Sequence, residues 1–386
     1  MASERHPGDR HPGRLAVQAV RGLSPYVPGK PIRELERELG IHDIVKLASN
    51  ENPYGPSPRT LSAMRAALDE VWLYPDGGCH ELKQGLARHL GVDAACLTLG
   101  NGSNDLLVLL AEAFLTPSHS AVYSQYGFAI YPLVTRETGA QAIAVPALGR
   151  DSDMPLGHDL AAMAAAIAPH TRLVFIANPN NPTGTWAAPA ALKRLLERAA
   201  PTTLVVLDEA YFEYGHALGT QDGLPWLAEH PNLVILRTFS KAYGLAGARV
   251  GYAISHPEVA DVLNRLRPAF NVNSLAQAGA LAALADQTHM RSAVSQTLRE
   301  LSRVEAELRR LGLWTAPSAA NFLLLRLAAP AAPVFERLLR RGLIVRPLAG
   351  YGLKDCLRIS IGLPQHNDRL LAALPQVLAA GAAQAL

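Results

Sequence analysis

Cysteine is scarce: Cys79, Cys96 and Cys356 are the three in a chain of 386 residues. Three cysteines make no disulfide framework and lack the paired spacing of a zinc site, so a reducing cytoplasm is the expected setting. Long apolar runs are missing too. No stretch approaches the roughly 20 residues that a membrane helix needs. The opening segment MASERHPGDRHPGRLAVQAVRG is positively charged but has no apolar run of signal-peptide length. Nor does one sign of charge dominate. The chain has 36 Lys and Arg against 33 Asp and Glu, a formal net charge of +3, too small to argue for nucleic acid. The HPG repeats at His6 and His11 have no other ligand placed nearby, and Pro and Gly interrupt regular structure there. A disordered polar leader is expected rather than a metal site.

What is present is alternation. RTLSAMRAALDEV and HELKQGLARHLG space their apolar residues as helices do, the second stopping at Gly91, and NDLLVLLAEAFL is apolar nearly all round. Among the helix-length segments stand SAVYSQY, RLVFIANP, TTLVVLDEAY and NLVILRTFS, short runs rich in Val, Ile and Leu. Continuous rather than alternating hydrophobicity predicts strands covered on both faces, hence a mostly parallel sheet. Residues from about Ser274 to Gly312 read as one long helical region. NFLLLRL, PVFERLLRRG, LIVRPLAGYG, CLRISIG and a last helix then give the β-α-β-β-α pattern of a small α+β unit. At this length two domains are the default. The expectation is an α/β fold with residues 1–45 as a leader and arm packing with the small domain, 46–285 as the large domain and 286–386 as the small C-terminal α+β domain.

In open parallel sheets, ligands bind beyond the carboxyl ends of the strands. GNGSND follows LTL, NPNNPTG follows RLVFIA, DEAY follows TTLVVL, and TFSKAYG follows NLVILR. Four polar clusters at four strand ends argue for one composite site. Each has a plainer reading alone: GNGSND is equally a turn with Ser103 or Asn104 as a helix cap, and NPNNPTG is a turn sequence. Asp208 is harder to dismiss, because it ends an apolar run and needs a cationic partner. A lysine in a partly apolar pocket has a lowered pKa and forms Schiff bases. An aromatic cofactor with a phosphate, an aldehyde and a ring nitrogen would use every cluster. Its phosphate would meet Ser103, Asn104, Ser240 and Arg249, its ring nitrogen Asp208 and its aldehyde Lys241. That cofactor is pyridoxal 5′-phosphate.

At these residues the chain resembles the fold type I aminotransferases, and closely the histidinol-phosphate aminotransferases. The likeness runs from about Gly22 nearly to the C-terminus through LSPYVPGKP, LASNENPYGPSP, LYPDGG, GNGS, NPNNPTGT, DEAY, FSKAYGLAGARVGY, GLIVRP and CLRISIG. The resemblance implies that Lys241 carries the cofactor, that Asp208 faces the pyridine nitrogen and that Asn181 and Tyr211 bond the 3′-oxygen. By the same likeness Tyr126 stacks on the ring. Tyr74 crosses a homodimer interface to the neighbour's cofactor phosphate, Arg358 grips a substrate carboxylate, and Tyr26 and Arg346 lie near the substrate's distal end. Plainer roles remain for some: an edge-strand charge for Arg358, a solvent-facing charge for Arg346 and a core position for Tyr74.

The implied activity is transamination between L-histidinol phosphate and 2-oxoglutarate, in histidine biosynthesis. Two departures mark a subgroup: Asn104-Asp105 stands where Asp-Glu is commoner, and SQY where P-T-Y is common. They leave the cofactor chemistry intact and keep an aromatic amino acid transaminase open as the alternative. Further from it stand a decarboxylase on the same scaffold and a non-catalytic module. A nucleotide-binding oxidoreductase lacks both the third glycine and the acid for ribose.

Overall fold

The structure, a computed structural model, describes residues 12–25 and 29–382. Its strands are β1 (Val45–Lys46), β2 (Leu97–Gly100), β3 (Ser120–Ser124), β4 (Gln141–Val145), β5 (Thr171–Ala177), β6 (Leu204–Asp208), β7 (Leu233–Thr238) and β8 (Gly251–Ser255). Then follow β9 (Trp314–Thr315), β10 (Phe322–Arg326), β11 (Leu343–Ile344), β12 (Arg346–Leu348) and β13 (Leu353–Ser360). The strands β2 to β8 form one sheet in the order β2-β8-β7-β6-β5-β3-β4. Neighbours from β4 through β7 pair in parallel, and β8 runs antiparallel to β7 and β2. The mostly parallel sheet expected from the continuous apolar runs is the one found.

Those runs conceal a period of two. Val174, Ile176, Val205, Leu207 and Ile235 join one apolar cluster, while Leu173, Phe175, Leu204, Val206 and Leu236 join the other. Each strand therefore feeds two cores, and each fully buried aliphatic side chain contributes about 1.5–3 kcal/mol. The same alternation sends Asp208 and Glu209, adjacent at the end of β6, in opposite directions.

The second sheet is antiparallel, in the order β12-β13-β10-β9. It packs through Leu323, Leu325, Leu357 and Ile359 against helices that include Ala331–Leu339 and Pro364–Ala382. The short β1 pairs in parallel with β11, and Leu35 packs with Leu339 and Ile344. Helix Gln18–Arg21 lies instead against Ile130–Glu137, beside the large sheet. The long helical region expected from 274 to 312 is two helices, Ser274–Leu284 and Gln287–Arg310. Asp286 breaks it: its side chain accepts from the His289 N–H and caps the second helix.

Candidate active site

The carboxyl ends of β5, β6 and β7 open into a cavity of about 290 Å³. Its walls carry Ser103, Asn104, Asn181, Asp208, Tyr211, Ser240, Lys241, Arg249, Arg346 and Arg358. All four polar clusters read from the strand ends thus meet in one place.

Lys241 lies on the loop after β7, its Nζ donating to the Ser49 carbonyl at 3.2 Å and standing 5.6 Å from the Tyr211 ring centre. Burial first, then the Arg358 guanidinium, brings its amine down to about 8. Gly244 turns this loop at φ 72°, and a Cβ there would stand 2.5 Å from the Gly55 carbonyl carbon. Glycine lets the lysine loop close against the 49–56 segment.

Asp208 is 5% exposed. Burial pushes its carboxyl up to about 6, opposed by hydrogen bonds from the Tyr131 hydroxyl (2.8 Å) and the Ala210 N–H (3.2 Å) and by the charge of Lys241. Tyr211 accepts from Asn50 Nδ2 at 2.9 Å, and burial raises its hydroxyl to about 12. It is therefore a hydroxyl at neutral pH, with its proton free to donate.

A compact cradle forms where helix Ser103–Phe114 begins. Gly102 has φ 86°, and a Cβ there would strike the Arg249 guanidinium at 2.3 Å. Arg249 Nη1 donates to Ser240 Oγ (3.2 Å) and to the Ala246 carbonyl (3.0 Å). The buried Asn104 Oδ1 has no hydrogen-bond partner among the described residues. Helix-start N–H groups, a hydroxyl, an amide and a guanidinium make an anion seat.

The Arg358 guanidinium donates to Asn181 Oδ1 and to the Ala48 carbonyl, at 2.5 and 2.6 Å. Arg346 is its cross-strand partner in the β12–β13 register. Two cations therefore face the mouth together.

Two residues named from sequence do not line this cavity, and a third is outside the described residues. Tyr126 is not on this wall: it packs beside Leu156, Leu348 and Trp314, and its carbonyl accepts from Asn180. Phe128, past the turn in which the Gly127 N–H bonds the Ser124 carbonyl, lines the cavity. Tyr74 is 83% exposed and stacks on Phe270 with ring centres 4.7 Å apart, away from the cavity of its own chain. Tyr26 lies outside the described residues.

Sequence reasoning missed Asn50, Phe128 and Tyr131. Asn50 adopts φ 55°, its N–H donates to Ser360 Oγ and its carbonyl accepts from Asn321. It ties the segment after β1 to both Tyr211 and β13. Among the described residues there is no cluster of metal-ligating side chains and no helix long and apolar enough to cross a membrane.

The family described as aminotransferase class I and II matches residues 42–374. A histidinol-phosphate aminotransferase 2 of Pseudomonas aeruginosa is 56% identical over 369 residues, covering 95% of this chain and 98% of the relative. Its namesake in Methylococcus capsulatus is 51% identical, covering 94% and 98%. The crystal structure of histidinol-phosphate aminotransferase from Sinorhizobium meliloti in complex with pyridoxal-5′-phosphate superposes with a TM-score of 0.85 at 33% identity, covering 95% of this chain and 98% of that one. Aspartate aminotransferase of Thermus thermophilus, at 23% identity and a TM-score of 0.80, shares the fold. The chain belongs to the class I and II aminotransferases, within their histidinol-phosphate aminotransferase family, and is a pyridoxal-phosphate-dependent enzyme.

Proposed function

We propose that the chain exchanges an amino group between L-histidinol phosphate and 2-oxoglutarate, as a step of histidine biosynthesis in the cytoplasm. The observation that carries this reading is the joining of Lys241 and Asp208 to the Arg346–Arg358 pair in one cavity. The names of relatives 51% and 56% identical support it.

The residues fit pyridoxal 5′-phosphate. The Gly102 cradle with the Ser240 hydroxyl and the Arg249 guanidinium supplies donors that suit its phosphate, and the lysine and the carboxylate suit its aldehyde and ring nitrogen. Ser103, Asn104, Ser240 and Arg249 would hold the phosphate. Phe128 would face the ring, and Tyr211 and Asn181 would donate to the 3′-oxygen. The Asn181 oxygen is already taken by Arg358, which leaves its Nδ2 protons to give. When bound, the cofactor supplies an aldehyde that condenses with amines and a ring that accepts the electron pair released at the substrate Cα.

Asp208, whose carboxylate form Tyr131 and the Ala210 N–H favour, would stabilise a protonated ring nitrogen. Lys241 Nζ would be the base that takes the proton from the substrate Cα and holds it for return. Its lowered pKa gives it a neutral fraction at physiological pH. Arg346 and Arg358 orient the donor's phosphate, and in the second half-reaction the carboxylates of 2-oxoglutarate. Histidinol phosphate has no α-carboxylate, so Arg358 acts on this donor through the phosphate end.

The enzyme is proposed to work as a homodimer. Val71, Trp72 (79% exposed), Leu73 and Tyr74 lie with Leu266 and Phe270 among the exposed large apolar residues, and Tyr74 touches Phe270. Apolar surface of this kind marks an interaction site. Pairing would bring Tyr74 to the partner's cofactor phosphate.

A panel of amino donors with 2-oxoglutarate tests the reading. Histidinol phosphate should be turned over with the highest kcat/KM. Strong phenylalanine or tyrosine turnover with negligible histidinol-phosphate turnover would replace it with the aromatic alternative.

A further inference from the structure

The loop between β4 and helix Leu160–Ala165 crosses from the large sheet to the antiparallel one. Two backbone bonds close its neck: the Leu148 N–H donates to the Gly157 carbonyl (2.9 Å) and the Leu156 N–H to the Leu148 carbonyl (3.2 Å). From that neck the loop meets the antiparallel sheet at two points. Arg150 donates to Asp355 of β13 from both guanidinium ends, Nη1 to Oδ2 at 2.8 Å and Nη2 to Oδ1 at 3.1 Å. This forked pairing fixes orientation as well as distance, and it holds the Asp355 carboxyl well below the usual carboxylate range. Leu156, 4% exposed, packs with Leu324, Leu348, Leu353 and Cys356. It does so at φ 61°, a backbone region that bulky side chains rarely enter, and the surrounding contacts hold it there.

The same face of that sheet carries both cations of the active site. Cys356 precedes Arg358 by two residues on β13, and Leu348 follows Arg346 by two on β12. Leu324 of β10 is the cross-strand partner of Arg358. Residues two apart on a strand, and those directly opposite across it, share a face. Leu156 therefore rests beside the two arginines, and Arg150 grips β13 one turn of the pleat before Arg358. A third contact lies close by. The Ala129 N–H, next to Phe128 in the cavity wall, donates to the Tyr351 hydroxyl at 3.3 Å, in the turn between β12 and β13. Neither Arg150 nor Leu156 lines the cavity itself.

We propose that Arg150 is a positioning residue for the recognition of the substrates' anionic groups. Clamped to Asp355, with Leu156 seated on the sheet face, the loop fixes β12 and β13 against the large sheet. It thereby sets where Arg346 and Arg358 stand relative to Lys241. The proposal rests on the assignment of those two arginines to the donor's phosphate and to the carboxylates of 2-oxoglutarate. A partly exposed ion pair such as this one adds little to stability. Its effect is geometric, because a small misplacement of a binding group weakens every contact that depends on it.

The test uses holoenzyme and Arg150→Met, which keeps an unbranched side chain and removes the fork. KM for histidinol phosphate and KM for 2-oxoglutarate should both rise about threefold to tenfold, with kcat within about twofold and cofactor content unchanged. Calorimetry adds a readout without turnover. Glutarate, which has the carboxylates of 2-oxoglutarate but no keto group, should bind the variant holoenzyme more weakly by a similar factor. Arg150→Lys keeps the charge without the fork and should fall between. Asp355→Asn should act like Arg150→Met, and the double variant should be no worse than either single one. Leu156→Ala should raise both KM values through the other anchor. Unchanged KM values and glutarate affinity in Arg150→Met, a loss of kcat and cofactor in place of a rise in KM, or additive effects in the double variant would overturn the proposal. Arg346→Ala keeps the two readings apart. If it leaves both KM values unchanged, the arginine assignment fails and takes this proposal with it. If it raises them while Arg150→Met does not, the clamp alone fails.

Discussion

The Tyr131 hydroxyl, fully buried with its ring stacked on Phe175, donates a 2.8 Å hydrogen bond to Oδ2 of Asp208. Burial alone favours the protonated acid, and this donor favours the carboxylate. Tyr131 is itself held well above its usual pKa by burial and by Asp208, so it stays a donor throughout the working range. It is the positioning residue for the group that holds the ring nitrogen's proton.

Tyr131→Phe removes that donor with little change of shape, so the Asp208 pKa rises. Below its pKa the carboxyl is neutral and no longer stabilises a protonated ring nitrogen by charge, so the acid limb of kcat/KM moves to higher pH. A hydrogen bond to a charged group is worth about 1.5–3 kcal/mol, or about 1–2 pH units. A pH–rate profile checks this, and an unmoved limb would remove Tyr131 from the catalytic account.

Lys241 has a pKa lowered to about 8 in the protein without cofactor. Below that pH the amine is protonated and inert toward an aldehyde. The rate at which apoprotein captures pyridoxal phosphate should therefore climb with pH and level off near 8. An ordinary lysine would keep climbing toward about 10.4. Stopped-flow absorbance reads the difference, and Lys241→Ala should leave no borohydride-stable adduct.

Arg346 and Arg358 are cross-strand partners with different second duties. Arg346→Ala should raise the KM for histidinol phosphate about tenfold to a hundredfold, the worth of a charge-assisted contact, with a smaller effect on kcat. Arg358 also holds Asn181, so Arg358→Ala should lower kcat for every donor and shift the cofactor spectrum. Steady-state kinetics with both variants separates the two roles.

Arg237 is 3% exposed between Glu209 and Asp222. Removing one partner of a buried ion pair strands the other, at about 3–5 kcal/mol. Arg237→Ala should lose that much in denaturant unfolding, and a double replacement of Arg237 and Glu209 by Met should recover part of it.

The site was legible where sequence and topology coincide. A strand buried on both faces reads as an unbroken apolar run, so the polar residue ending it stands out, and Asp208 and Lys241 were found this way. Tyr126 and Phe128 are two aromatics around one glycine, and only the turn at Gly127 decides which faces the cavity. Asn50 and Tyr131 reach the site through contacts 161 and 77 residues distant in sequence, which no local pattern records. The break at Asp286 is a single capping side chain inside a run of good helix formers, and apolar spacing passes over it.

One half-reaction tests the central claim most directly. Holoenzyme is mixed with histidinol phosphate in the absence of a keto acid, and the cofactor's visible absorption is followed. The aldehyde band should give way to that of the aminated cofactor at the rate of turnover, and 2-oxoglutarate should restore it. No change with histidinol phosphate, beside complete conversion by phenylalanine, would contradict the account.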